Sequence, residues 1–165
     1  MAKIKRKGSK RSKIMSLVFA KWQEEYTTGN QKVDQQHKHL FEIVNKLHDA
    51  MKLGHGKEVL KETFDELIKY TIEHFVTEEL LMITNHYPGY ETHKQKHEKL
   101  KKQVQDLRAK FEQETIVINI ELLSFLNKWL AHHIKEDDLA MIKFLHKKQT
   151  EKLAVTTPKR STVNV

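Results

Sequence analysis

The feature that most restricts this chain is a set of ionisable side chains lying on apolar helical stripes. In one segment Leu60, Phe64, Leu67, Ile68, Thr71, Phe75 and Glu78 follow the helical period. His74 and Glu78 then point inward with the apolar residues, one turn apart on one face. A charge buried there costs several kcal/mol, roughly, unless something compensates it. A fold for this chain must therefore supply a compensating partner inside its core.

Three further segments repeat the pattern. Leu40, Phe41, Val44, Leu47 and Met51 recur at three- and four-residue steps, and His37 lies on their stripe. His93 and His97 stand one turn apart ahead of Leu100, Val104, Leu107 and Phe111. The last segment carries Ile118, Ile120, Leu122, Leu123, Phe125, Leu126, Trp129, Leu130 and His133, with Asp138 five residues further on. Five residues of straight helix turn a side chain by about 500°, so His133 and Asp138 share a face only if the helix ends or bends between them.

The pattern implies an all-α, up-down four-helix bundle, with an N-terminal aromatic arm and a short C-terminal helix from Leu139 to Leu145. Gly54-His55-Gly56, Asn85 to Gly89 and Glu114-Thr115 separate the helices. Asp34 is the expected N-cap of the first. Phe19, Trp22 and Tyr26 form the arm, which Thr27 to Asn30 keep from being helical. The expected organisation is a basic disordered tail at 1–15, the bundle at 16–148 and a disordered tail at 149–165.

Charge follows the same division. Residues 1–15 hold seven Lys and Arg and no acid, whereas the whole chain is +8, leaving about +1 for the rest. Such a tail can touch nucleic acid, anionic lipid or an acidic protein. There is no cysteine, which excludes disulfides, thiolate metal sites and haem-attachment motifs. No apolar run is long enough to span a membrane, and the start lacks the apolar region of a signal peptide. A cytoplasmic monomer is expected.

Eleven histidines require sorting. His39, His48, His55, His86, His132 and His146 are assigned surface or supporting roles. His37, His74, Glu78, His93, His97, His133 and Asp138 form the candidate metal set. All four helices contribute to it, and two pairs have one-turn spacing. Seven donors exceed one tetrahedral zinc. Imidazoles with a minority of carboxylates suit iron, copper or zinc better than magnesium or calcium. Two metals sharing the carboxylates would use all seven. Glu-x-x-His motifs like those of carboxylate-rich di-iron bundles are not placed inward on two helices, and Glu136 and Asp137 are expected to face solvent. The mostly neutral donor set suits mild, reversible chemistry.

Trp22 with Asp34-Gln35-Gln36-His37, His74-Phe75-Val76-Thr77-Glu78-Glu79, Tyr87-Pro88, His93-Lys94-Gln95-Lys96-His97, and Trp129 to Ile134 with Asp138 occur in the order found in a known family. Over roughly residues 15–145 the chain resembles the hemerythrins, specifically the bacterial single-domain hemerythrin-like proteins. The resemblance implies a non-haem di-iron centre that binds dioxygen reversibly, for carriage, storage or delivery rather than catalysis. His93, His97 and His133 would serve the first iron. His37 and His74 would serve the second, which keeps an open position. Glu78 and Asp138 would bridge the pair together with an oxo or hydroxo group, and Leu130 would line the oxygen pocket. Leu100 stands where an aromatic is common, and His132 where a polar amide is common. The rival readings are an oxygen or redox sensor, a di-iron peroxidase or nitric-oxide handling protein, and a metal buffer.

Overall fold

The structure, a computed structural model, describes residues 18–156. These form helices α1 (Gln31–Lys52), α2 (Lys57–Asn85), α3 (Tyr90–Glu112), α4 (Ile120–His133) and α5 (Leu139–Thr156), with a π-helical turn at Ile134–Asp138 joining the last two. No strand occurs among the described residues. Helix α1 packs against α2 and α4, and α2 against α3, as in an up-down bundle whose fourth member is α4 with its continuation. Among the described residues, no helix is long and apolar enough to cross a membrane.

The entry to α1 differs from the expected Asp34 cap. Asn30 is the N-cap, its side chain accepting from the Lys32 and Val33 amides. Asp34 sits one turn inside the helix and reaches back, accepting from the Thr28 amide and hydroxyl at 2.8 Å and from the Gly29 amide at 3.2 Å. Gly29 has φ +87°, a conformation that glycine adopts without strain. This loop fixes the direction from which the aromatic arm arrives. A 3-10 turn at Glu24–Tyr26 buries Tyr26, and Asn45 ties the arm down by exchanging hydrogen bonds with the Ala20 backbone.

At the other end, α2 stops at His86, which has φ +52° and lets the Tyr87 amide donate to Met82. Helix α4 begins at Ile120 rather than Ile118, because the Asn119 side chain caps it through the Leu122 amide.

The C-terminal region is a correction. The expected helix ended near Leu145 and the tail began at 149, but α5 continues to Thr156. The added stretch is rich in good helix formers, Gln149, Glu151, Lys152, Leu153 and Ala154. Lys147 lies 4.0 Å from Glu151 on the outer face. The expected tails at 1–15 and beyond 156 lie outside the described residues.

Two apolar clusters fill the bundle. The larger includes Leu40, Leu47, Phe64, Phe75, Leu123 and Ile134. The smaller, Val33, Met82, Met141 and Ile142, closes the opposite end where α1 begins, α2 finishes and α5 starts. Between these clusters in sequence, on every helix of the bundle, lie the buried histidines and acids.

Candidate metal centre

All seven residues of the candidate set are buried: His37, His74, Glu78, His97 and Asp138 completely, His93 and His133 nearly so. The structure brings them into two groups. Glu78, His93, His97 and His133 form one, and His37, His74, Glu78 and Asp138 the other, with one ligand atom per residue and all such atoms in a group within 4.8 Å of each other. Glu78 belongs to both. Asp138 also faces both sides: its Oδ1 lies 3.2 Å from His93 Nε2 and 3.1 Å from His133 Nε2, and its Oδ2 lies 3.1 Å from His37 Nε2.

The five-residue gap between His133 and Asp138 is resolved by the π turn. There the backbone bonds i to i+5, so Asp138 falls one turn beyond His133 as an i+4 residue would in an α-helix. The helical backbone does not end there. It absorbs one extra residue at the metal layer.

The convergence is poorly satisfied by protein groups alone. Both oxygens of Glu78, both oxygens of Asp138, His74 Nε2 and both ring nitrogens of His37 have no hydrogen-bond partner although they are buried. Glu78 Oε2 approaches His97 Nε2 at 3.3 Å and His74 Nε2 at 3.5 Å without the alignment of a hydrogen bond. His133 Nε2 lies 3.1 Å from His93 Nε2 and 3.0 Å from His97 Nε2. Lone pairs gathered in this way need cations between them, because leaving buried polar groups unpaired costs about 1–3 kcal/mol each. The residues thus fit a pair of metal ions.

Electrostatics point the same way. Burial, followed by the Asp138 charge, pushes the Glu78 carboxyl up to about 8. Burial also raises Asp138, but His133, His37 and His93 outweigh it and hold the carboxyl well below the usual range. Burial and the His37 ring hold His74 well below an ordinary imidazole, and burial with the His133 and His93 rings does so for His97. Burial would lower His133 too, but Asp138, Asp137 and Glu78 raise it to about 10. Of these groups, Glu78 and His133 are the two whose surroundings favour the protonated form, while Asp138 is held ionised.

Three residues with no role assigned from sequence orient the imidazoles. His74 Nδ1 meets Gln36 Oε1 at 3.3 Å, and Gln36 in turn donates to the Thr77 hydroxyl. His97 Nδ1 meets Glu79 Oε1 at 3.1 Å, and His133 Nδ1 meets Asp137 Oδ2 at 3.2 Å. An acceptor at Nδ1 places the proton there and leaves the Nε2 lone pair facing the centre. Asp137 is therefore a correction: it does not face solvent freely, but joins His133 to Lys96.

Aromatic rings enclose the layer. Phe75 stacks on His97 at 3.8 Å, Trp129 on His133 at 4.4 Å, and Trp22 from the arm on His37 at 6.4 Å. Leu130 is buried and lines an apolar cavity of about 30 Å³ with Leu40, Val44, Phe75, Leu100 and Trp129. A water-sized guest needs on the order of 10–15 Å³ on this measure, so the space suits a very small molecule. Of the histidines outside the set, His48 stacks on Phe19, His39 packs against Tyr70, and His132 and His55 are exposed.

The profile of the Hemerythrin HHE cation binding domain matches residues 28–145. A bacteriohemerythrin of Pseudomonas aeruginosa is 38% identical over 123 residues, covering 73% of this chain and 78% of that protein. A bacteriohemerythrin of Methylococcus capsulatus is 37% identical over 114 residues, covering 69% and 86%. The crystal structure of a wild-type hemerythrin superposes with a TM-score of 0.74 at 33% identity, covering 77% of this chain and 98% of the other. Sequence, fold and donor set agree: the chain belongs to the hemerythrin family.

Proposed function

We propose that the chain binds dioxygen reversibly at a non-haem di-iron centre, as a carrier, store or delivery protein without turnover of its own. The observation that carries this is the pair of donor groups sharing Glu78, in which five imidazoles outnumber two carboxylates. A bound iron pair would supply the electrons that dioxygen takes up on binding, and would regain them on release.

The chain's own residues do the rest. His93, His97 and His133 would hold one ion and His37 with His74 the other, while Glu78 and Asp138 span both. The two-histidine side then has one protein donor fewer, which leaves room for a ligand. Phe75, Trp22, Trp129 and Leu130 keep water from the layer, and exclusion of water suppresses side reactions of the bound gas. All seven polar groups are committed as donors, leaving no free acid, base or nucleophile among them. We place the protein in the cytoplasm as a monomer, in keeping with a chain that has no cysteine.

The test is an absorption spectrum of the reduced, iron-loaded protein before and after air. A new visible band that vanishes under argon and returns with oxygen is expected. Sustained consumption of peroxide or nitric oxide, with no reversible band, would overturn the reading in favour of an enzyme.

A further inference from the structure

The three oriented histidines are not backed alike. His74 is held by the neutral amide of Gln36, whereas His97 and His133 are held by the carboxylates of Glu79 and Asp137. Among the described residues, only one of these carboxylates has a Lys paired to it: Lys96 Nζ donates to Asp137 Oδ1, while Oδ2 faces His133. The Asp137 side chain is 15% exposed and that of Lys96 45%, and both line a groove of about 270 Å³ between α3 and α4. A chain of contacts therefore runs from solvent through Lys96 and Asp137 to the imidazole whose Nε2 faces Asp138.

We propose that Asp137 and Lys96 act as an opposed pair of positioning residues that set the donor strength of His133 toward a bound metal. The inference rests on the reading that metal sits among the seven donors. A carboxylate accepting the Nδ1 proton makes the imidazole more anionic and a stronger donor. Stronger donation favours the more oxidised metal. The Lys96 ammonium draws on the same carboxylate and moderates that effect. The two side chains should consequently act in opposite directions, although they touch one another and lie on one surface. A purely structural role would give the same sign to both, because removing either breaks the same ion pair.

The experiment is electrochemical titration of the loaded protein with iron release to a chelator followed in parallel. Asp137→Asn should raise the midpoint potential and speed iron loss by about 10- to 100-fold, the usual range for outer hydrogen-bond partners of metal ligands. Lys96→Gln, a change at an exposed side chain that leaves the fold intact, should lower the potential and slow iron loss. Asp137→Glu should recover much of the parent value. Potentials that do not move, or that move the same way in both variants, would overturn the proposal. A wild-type protein that takes up no redox-active metal would instead overturn the reading on which it rests.

Discussion

At the scale of single residues, Glu78 is the side chain on which both donor groups depend. Its two oxygens are buried and have no protein hydrogen-bond partner. Glu78→Ala should remove metal from both positions, measured as iron per chain, whereas His55→Ala on the exposed connection should leave it unchanged. Protons give a second check. Glu78, at about 8, and His133, at about 10, both hold a proton near pH 7 in the metal-free protein. Metal must displace these, so loading should release on the order of two protons. Because acid favours the protonated, metal-free form, affinity should fall as pH drops below about 10, and more steeply below about 8. Loading in weak buffer with a pH indicator measures both. That these seven residues converge was legible in the sequence because ionisable side chains recur on the apolar stripes of all four helices. Gln36, Glu79 and Asp137 were not. Each stands next to a candidate donor, on the neighbouring row of its helix, and two of the three orient a histidine on another helix. A polar residue at such a flank looks the same as one facing water until the helices are packed.

At the scale of elements, the π turn and the entry to α1 carry the most consequence. The sequence shows that His133 and Asp138 cannot share a face of a straight helix, but not how the conflict resolves. A widened turn carries the helix on without a break, and Met141 and Ile142 beyond it join the smaller cluster. The entry to α1 shows the reverse, where the right residue was given the wrong task. Asp34 has the composition of an N-cap, yet Asn30 lies one turn earlier and caps with two amides. Asp34 instead ties Thr28 and Gly29 beneath the arm. Asp34→Ala should leave the donors of the buried Thr28 unpaired and cost about 1–3 kcal/mol, read as a shifted urea midpoint with an unchanged slope. Trp22, which the loop steers over His37, should become more accessible to a fluorescence quencher in the same variant.

At the scale of the whole molecule, the bundle is two apolar clusters separated by a polar layer that the protein cannot satisfy by itself. The amphipathic periods show the larger cluster plainly. They do not show the smaller one, because α5 follows only after the register shift, and its outer turns read as an ordinary polar tail. The division predicts how stability should depend on metal. In the metal-free protein the apolar clusters must hold Glu78, Asp138 and the imidazoles together against unpaired buried groups and mutual repulsion. Ions bound only by the folded chain add stability by mass action, about 4 kcal/mol when the free ion is a thousandfold above its dissociation constant. For a chain of this length each kcal/mol moves the melting temperature by about 2–4 °C. Stripping the metal should therefore lower the melting temperature by roughly 8–16 °C at such loading. The smaller cluster should be the first part to loosen, since it holds α5 to the ends of α1 and α2 through only four buried apolar side chains and borders the polar layer. Met141→Ala, which empties a fully buried position there, should cost about 2–5 kcal/mol. Hydrogen exchange on the stripped protein would follow this directly: amides of α5 should exchange well before those of α1 around Leu47. Uniform exchange along the chain, with a melting temperature indifferent to metal, would mean that the layer is satisfied without ions and that the donors are a polar core after all.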